Sequence, residues 1–141
     1  MKALKRMGIG AVVLASAALS VFVLDEFGMC GVDIVDIVPS PDRQQRVVVY
    51  QHDCGATTDF STQVTLNPLL ASRPIGGGNI WSADADHDAA PRTRWGGPDV
   101  RIEWTSSTTL RLLHHPRVRV FRAERSVGGV SITYGLLGET D

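Results

Sequence analysis

From position 32 onward, apolar residues fall into short runs of β-branched and aromatic side chains, separated by clusters of Gly, Pro, Asp and Ser. The runs are VDIVDIV (32–38), QRVVVYQH (45–52), STQVTLN (61–67), NIWSA (79–83), DVRIEWT (99–105), TTLRLLH (108–114), the segment 117–124 around VRVFRAE, and GVSITYG (129–135). Alternation at a spacing of two predicts strands, and no stretch keeps a helical period over three turns. The pattern predicts an all-β domain, a small sandwich or partly open barrel of about eight short antiparallel strands. The middle of the chain, 67 to 98, is richest in Pro, Gly and Asp, and reads as long loops around one short strand.

The N-terminus follows another pattern. Lys2, Lys5 and Arg6 precede GIGAVVLASAALSVFVL, residues 8 to 24, and the next charges are Asp25 and Glu26. A run of this length with no polar face predicts a hydrophobic helix that anchors the chain in a membrane; a cleaved export signal is the alternative. Basic residues before the run and acidic ones after it put the N-terminus in the cytoplasm. The expected organisation is therefore residues 1–29 as anchor or signal and 30–141 as a periplasmic β-domain on the bacterial inner membrane. Release into the periplasm follows if the segment is cleaved. Lipidation of Cys30 fits poorly, because Phe27-Gly28-Met29 lacks the leucine and small residue of an acylation motif.

The 141 residues leave room for one modest core beyond that segment. Beyond the apolar run, residues 25 to 141 carry 11 arginines and no lysine against 15 acids, a net charge of −4, which argues against a nucleic-acid partner. Acids concentrate at 25 to 59 and arginines at 101 to 125, which predicts complementary faces of one small domain.

The two cysteines fit a hairpin. SPDRQ, 40 to 44, is a turn candidate, and a hairpin centred on Asp42 sets Val35 opposite Val49, Ile37 opposite Val47 and Cys30 opposite Cys54. In an oxidising compartment this predicts a Cys30–Cys54 disulfide.

Candidate chemistry centres on HDCGATTDF, 52 to 60, where His52, Asp53, Thr57, Thr58 and Asp59 form a polar patch. With Cys54 in a disulfide no thiolate remains for acyl transfer, and a structural turn is the expected role. DADHD, 84 to 88, spaces Asp84, Asp86 and Asp88 like the first calcium ligands of a binding loop, but Ala89 and Trp95 stand where its glycine and bidentate acid belong. His114 and His115 would face opposite sides of a strand, so they are expected to end it before Pro116. IGGGN, 75 to 79, lacks the Lys-Ser/Thr of a phosphate loop. Arg117 and Arg119 alternate with Val118 and Val120, which predicts valines toward the core and a basic stripe able to contact an anionic envelope component. Trp81, Trp95 and Trp104 are expected to be core rather than a binding platform. No residue is assigned as catalytic, and no cofactor or metal is assigned.

SPD, DCGATTDFSTQV, GGNIWSAD, PDVRIEW and GVSITY together resemble an uncharacterised family of small bacterial exported or membrane-anchored proteins. The likeness spans about residues 38 to 134 and is most specific at CGATT. It implies placement in the envelope and no catalytic residue. The function expected is a membrane-tethered β-domain that binds a partner, an envelope protein or an anionic envelope component. The alternative is a small envelope hydrolase using His52 or the acids of 84 to 88, which requires a cleft joining them.

Overall fold

The computed structural model describes residues 30–55, 58–71, 74 and 77–138. The predicted N-terminal helix and Thr57 lie outside them. Among the described residues there is no helix, and nine strands form two sheets. They are β1 (Gly31–Pro39), β2 (Gln45–Asp53), β3 (Ser61–Pro68), β4 (Trp81–Asp84), β5 (Val100–Ser106), β6 (Thr109–His114), β7 (Arg119–Ala123), β8 (Ser126–Val127) and β9 (Val130–Leu136). The first sheet has the order β1-β2-β3-β4-β7 and the second β5-β6-β9-β8.

The two sheets share one core. Val47, Val49, Val64, Leu66, Trp81 and Ala83 from the first sheet meet Leu110, Leu112, Val130 and Ile132 from the second, all buried in one apolar cluster. Trp81 is fully buried and its ring stacks on His114 at 5.6 Å between centroids, while Trp104 packs at the margin and donates from Nε1 to the Val38 carbonyl at 3.2 Å. The VVVY run of β2 breaks strict alternation because both of its faces are covered. Val47 and Val49 face the core, while Val48 and Tyr50 lie on the outer face, where the Tyr50 hydroxyl accepts a hydrogen bond from the Gly78 amide at 2.8 Å.

The expected all-antiparallel sheet needs one correction: β6 and β9 are parallel, Leu110 pairing with Ile132 and Leu112 with Tyr134. After β6 the chain crosses to the first sheet as β7 before returning, so β9 enters beside β6 in the same direction. The return includes the additional strand, β8. It is only two residues long, and Gly128 and Gly129, both at positive φ, turn it directly into β9.

The hairpin register is correct at one end only. Gly31↔Asp53, Val32↔His52, Asp33↔Gln51 and Ile34↔Tyr50 follow the predicted pairing, but toward the turn Asp36 faces Val49 and Ile37 faces Val48. The predicted pairs Val35/Val49 and Ile37/Val47 are not formed. The turn explains the slip: it is centred between Asp42 and Arg43, with the Arg43 amide bonded to the Ser40 carbonyl at 2.9 Å and Arg43 at φ 56. The Ser40 hydroxyl donates to Asp42 Oδ1 at 2.6 Å and accepts from the Gln45 amide at 3.1 Å. A bulge at Val35 absorbs the extra residue, so that Val35 packs against the core and Ile37 turns outward. Beyond the bulge the predicted register holds, and Cys30 and Cys54 form the disulfide.

The valine stripe of β7 is also only half as expected. Val118 packs against the core, but β7 is an edge strand with a bulge between its pairings to Ser82 and Ala83, and Val120 is 40% exposed.

Candidate functional site

The register of four strands builds one polar row. His52 on β2 pairs with Ser61 on β3, Ser61 pairs with Asp84 on β4, and Asp84 pairs with Arg119 on β7. Directly paired residues project to the same side about 5 Å apart. Since Val49, Val64 and Ala83 face the core, the alternate positions in this row face outward. The row forms the floor of a cleft of about 410 Å³, lined also by Cys54, Thr58, Asp59, His87 and Phe121.

At its centre Asp84 is buried, its side chain 3% exposed. Arg119 Nε donates to Asp84 Oδ1 at 3.2 Å, a second guanidinium nitrogen bonds Oδ2, and the Asp86 amide donates to Oδ1 at 2.9 Å. Donating to the Asp84 carboxylate holds Arg119 more firmly charged than a free arginine. Its guanidinium carbon lies 5.3 Å from the centroid of the exposed Phe121 ring, in cation–π range. Arg119 is therefore engaged with an acid and a ring, whereas Arg117, exposed, is placed in the turn where its amide donates to His115 Nδ1 at 3.2 Å.

One wall is the opening of HDCGATTDF. Asp53 Oδ1 accepts from the Gly55 amide at 2.9 Å, and the Thr58 hydroxyl donates to the Gly55 carbonyl at 3.3 Å. Asp59 accepts from the Phe60 amide at 2.9 Å and from both terminal nitrogens of Arg92, at 2.6 and 2.8 Å. Those Arg92 bonds hold the Asp59 carboxyl below the usual carboxylate range. The His52 imidazole lies against Cys54, Nδ1 3.6 Å and Nε2 3.7 Å from Sγ.

The opposite wall is DADHD. Asp86, His87 and Asp88 sit at φ 46, 55 and 68, three successive left-handed residues closed by the Ala89 amide on the Asp86 carbonyl at 3.1 Å and the Ala90 amide on the Ala85 carbonyl at 3.0 Å. This turn leaves the His87 side chain 82% exposed at the cleft rim. The carboxylates do not converge on one point: Asp84 and Asp86 both face Arg119, the latter at 3.8 Å, while Asp88 pairs with Arg92.

His52, Ser61 and Asp84 are thus side by side, but they are not wired as an activated nucleophile. Ser61 Oγ accepts from Gln63 Nε2 at 2.9 Å and donates to the His52 main-chain carbonyl at 3.4 Å, and Asp84 is held by Arg119. The other candidates have local roles. His114 Nδ1 approaches the His115 carbonyl at 2.9 Å as β6 ends, and Gly78 packs on Gln63 and Ser82, where an added Cβ would collide.

The sequence pointed to both walls, but not to Ser61, Arg92 or Phe121. Their membership depends on registers between strands distant in sequence, for which short-range alternation carries no signal. Comparison of the chain with family models, with curated proteins and with solved structures finds no match.

Proposed function

We propose that the protein is a cell-envelope binding module, tethered through residues 8 to 24, whose cleft takes a neutral saccharide. The observation that carries this reading is the His52–Ser61–Asp84–Arg119 row beneath an exposed aromatic ring. The cleft volume falls within the range of small-ligand sites. Four carboxylates, Asp59, Asp84, Asp86 and Asp88, share the two arginines Arg92 and Arg119, so the site offers fixed donors and acceptors and neither arginine is free for a phosphate. Histidine, serine and threonine add groups that donate and accept alike. A ligand rich in hydroxyls matches that inventory, and Phe121 gives its C–H face an apolar surface. The disulfide and the apolar N-terminal run support an exported location.

A second reading, a small hydrolase, is favoured by one feature: His52, Ser61 and Asp84 share the cleft. It requires the imidazole to turn from Cys54 toward Ser61. One experiment separates the two. The full chain in detergent is titrated calorimetrically with tetrasaccharides of glucose and of N-acetylglucosamine, and the sugar is then sized by mass spectrometry. The binding reading expects one intact tetrasaccharide per chain with affinity lost in Asp84→Asn and Phe121→Ala. Shortened sugar would establish the hydrolase, and no binding of either sugar would end the saccharide reading.

A further inference from the structure

The row at the cleft floor ends beside the disulfide, and this junction holds a chemistry that the oxidised protein does not use. Cys30, Cys54 and His52 each offer one ligand atom, all within 4.8 Å of one another. A tetrahedral zinc ion, with Zn–S of about 2.3 Å and Zn–N of about 2.0–2.1 Å, holds a sulfur and a nitrogen ligand about 3.6 Å apart. His52 Nδ1 and Nε2 lie 3.6 and 3.7 Å from Cys54 Sγ. The imidazole is thus already at ligand–ligand distance, and only the two sulfurs must separate.

We propose that reduction of Cys30–Cys54 converts the staple into a two-cysteine, one-histidine site for a thiophilic cation such as Zn²⁺, with its fourth position open to the cleft. The redox step consumes a dithiol reductant: its two thiols deliver two electrons and two protons, the S–S bond breaks, both cysteines become thiols, and the reductant leaves as its own disulfide. Binding of Zn²⁺ then displaces the two thiol protons to solvent, while neutral His52 coordinates through a nitrogen lone pair.

The frame for such a site does not depend on the S–S bond. Beside the cysteines, β1 and β2 remain paired at Gly31↔Asp53 and Val32↔His52, and the Asp53–Gly55 turn fixes the chain as it leaves Cys54. Cys54 and His52 both line the cleft, so the open coordination position faces the space that a ligand or water would enter. The inference does not rest on saccharide binding, because the oxidised protein would bind sugar with no metal present and the reduced protein would bind metal with no sugar.

The test uses the full chain in detergent, oxidised or reduced by dithiothreitol and freed of reductant without air. Zn²⁺ is then titrated against a chromophoric chelator, with near-ultraviolet circular dichroism to follow the fold and Co²⁺ spectra to report thiolate ligation. The reduced chain is expected to take one Zn²⁺ and the oxidised chain none at the same chelator strength. Substituted with Co²⁺, the reduced chain shows a thiolate-to-metal charge-transfer band and tetrahedral d–d bands. His52→Ala should weaken binding by at least the roughly 10–100-fold that loss of an outer-shell partner costs, while His115→Ala, outside the cleft, leaves it unchanged. Zinc uptake by the oxidised chain, no uptake by the reduced chain, or wild-type affinity in His52→Ala would each overturn the proposal. The last result covers metal capture by cysteines of an unfolded chain.

Discussion

The left-handed turn at Asp86, His87 and Asp88 gives the sharpest prediction, because its stability and its binding role separate at one residue. A non-glycine residue in the left-handed region costs about 1–2 kcal/mol, and His87 sits there at φ 55. Replacement by glycine removes that cost but restores about 0.5–1 kcal/mol of chain entropy to the unfolded state. His87 contributes little else: its side chain is 82% exposed, and the contact of its Nδ1 with Asp86 Oδ1 at 3.4 Å lies at the surface. The net expectation for His87→Gly is a gain of about 0.5–1 kcal/mol, seen as a rise in melting temperature of roughly 2–6 °C. His87→Ala is the control. Alanine keeps the left-handed cost, so it should show no gain, while both variants lose any contact the imidazole makes with a ligand at the rim. Thermal melts of the full chain followed by near-ultraviolet circular dichroism, with calorimetric sugar titrations of each variant, give the comparison. If His87→Gly is no more stable than His87→Ala, the turn stores no conformational cost and the reasoning fails.

Both tyrosines should titrate abnormally. Burial raises Tyr50, with the Gly78 hydrogen bond partly opposing it, and burial together with nearby Glu124 pushes Tyr134 up to about 12. Since the folded values lie above the unfolded ones, the stability they contribute is complete below about pH 10 and is lost as pH rises toward 12. Absorbance titration should find no tyrosine ionising in the ordinary range until the chain unfolds, and one normal tyrosine would contradict the packing. Trp81→Ala empties the centre of the core shared by the two sheets and should cost about 3–5 kcal/mol by urea denaturation; a loss below 1 kcal/mol would mean the ring is not the core's anchor. Arg119→Ala leaves the Asp84 carboxylate buried without its main partner, so it should lower the urea midpoint, and adding Asp84→Asn should recover part of the loss. A double variant less stable than the single one would show that the pair is not the relevant interaction.

The strands were legible because their signals are local. β1, β2, β3, β5 and β6 fall within two residues of the predicted runs, since each combines β-branched residues with turn residues at its ends. The disulfide was legible because turn and cysteines lie in one hairpin. Even there the register slipped by one residue near the turn, where the left-handed conformation of Arg43 and the bulge at Val35 compensate each other and leave no trace in the apolar pattern. The parallel β6–β9 pairing depends on which sheet β7 joins, and that is a choice among long-range contacts. The same limit applies to the site. His52 and Asp84 stood out as chemical groups, but their adjacency through Ser61 exists only once β2, β3 and β4 are in register. Arg119 read as half of a basic stripe for an anionic component because its partner, Asp84, is 35 residues away.

In the proposed function, the cleft above His52, Ser61, Asp84 and Arg119 is where this protein meets its ligand. Amide chemical-shift mapping tests it most directly, using the ¹⁵N-labelled full chain in detergent micelles titrated with the tetrasaccharide that binds in calorimetry. The largest shifts are expected to cluster at His52, Ser61, Asp84, His87, Arg119 and Phe121. The groove lined by Gln44, Leu66, Asn79 and Gly128 should stay unchanged. Shifts concentrated in that second groove, or spread evenly over both sheets, would contradict it.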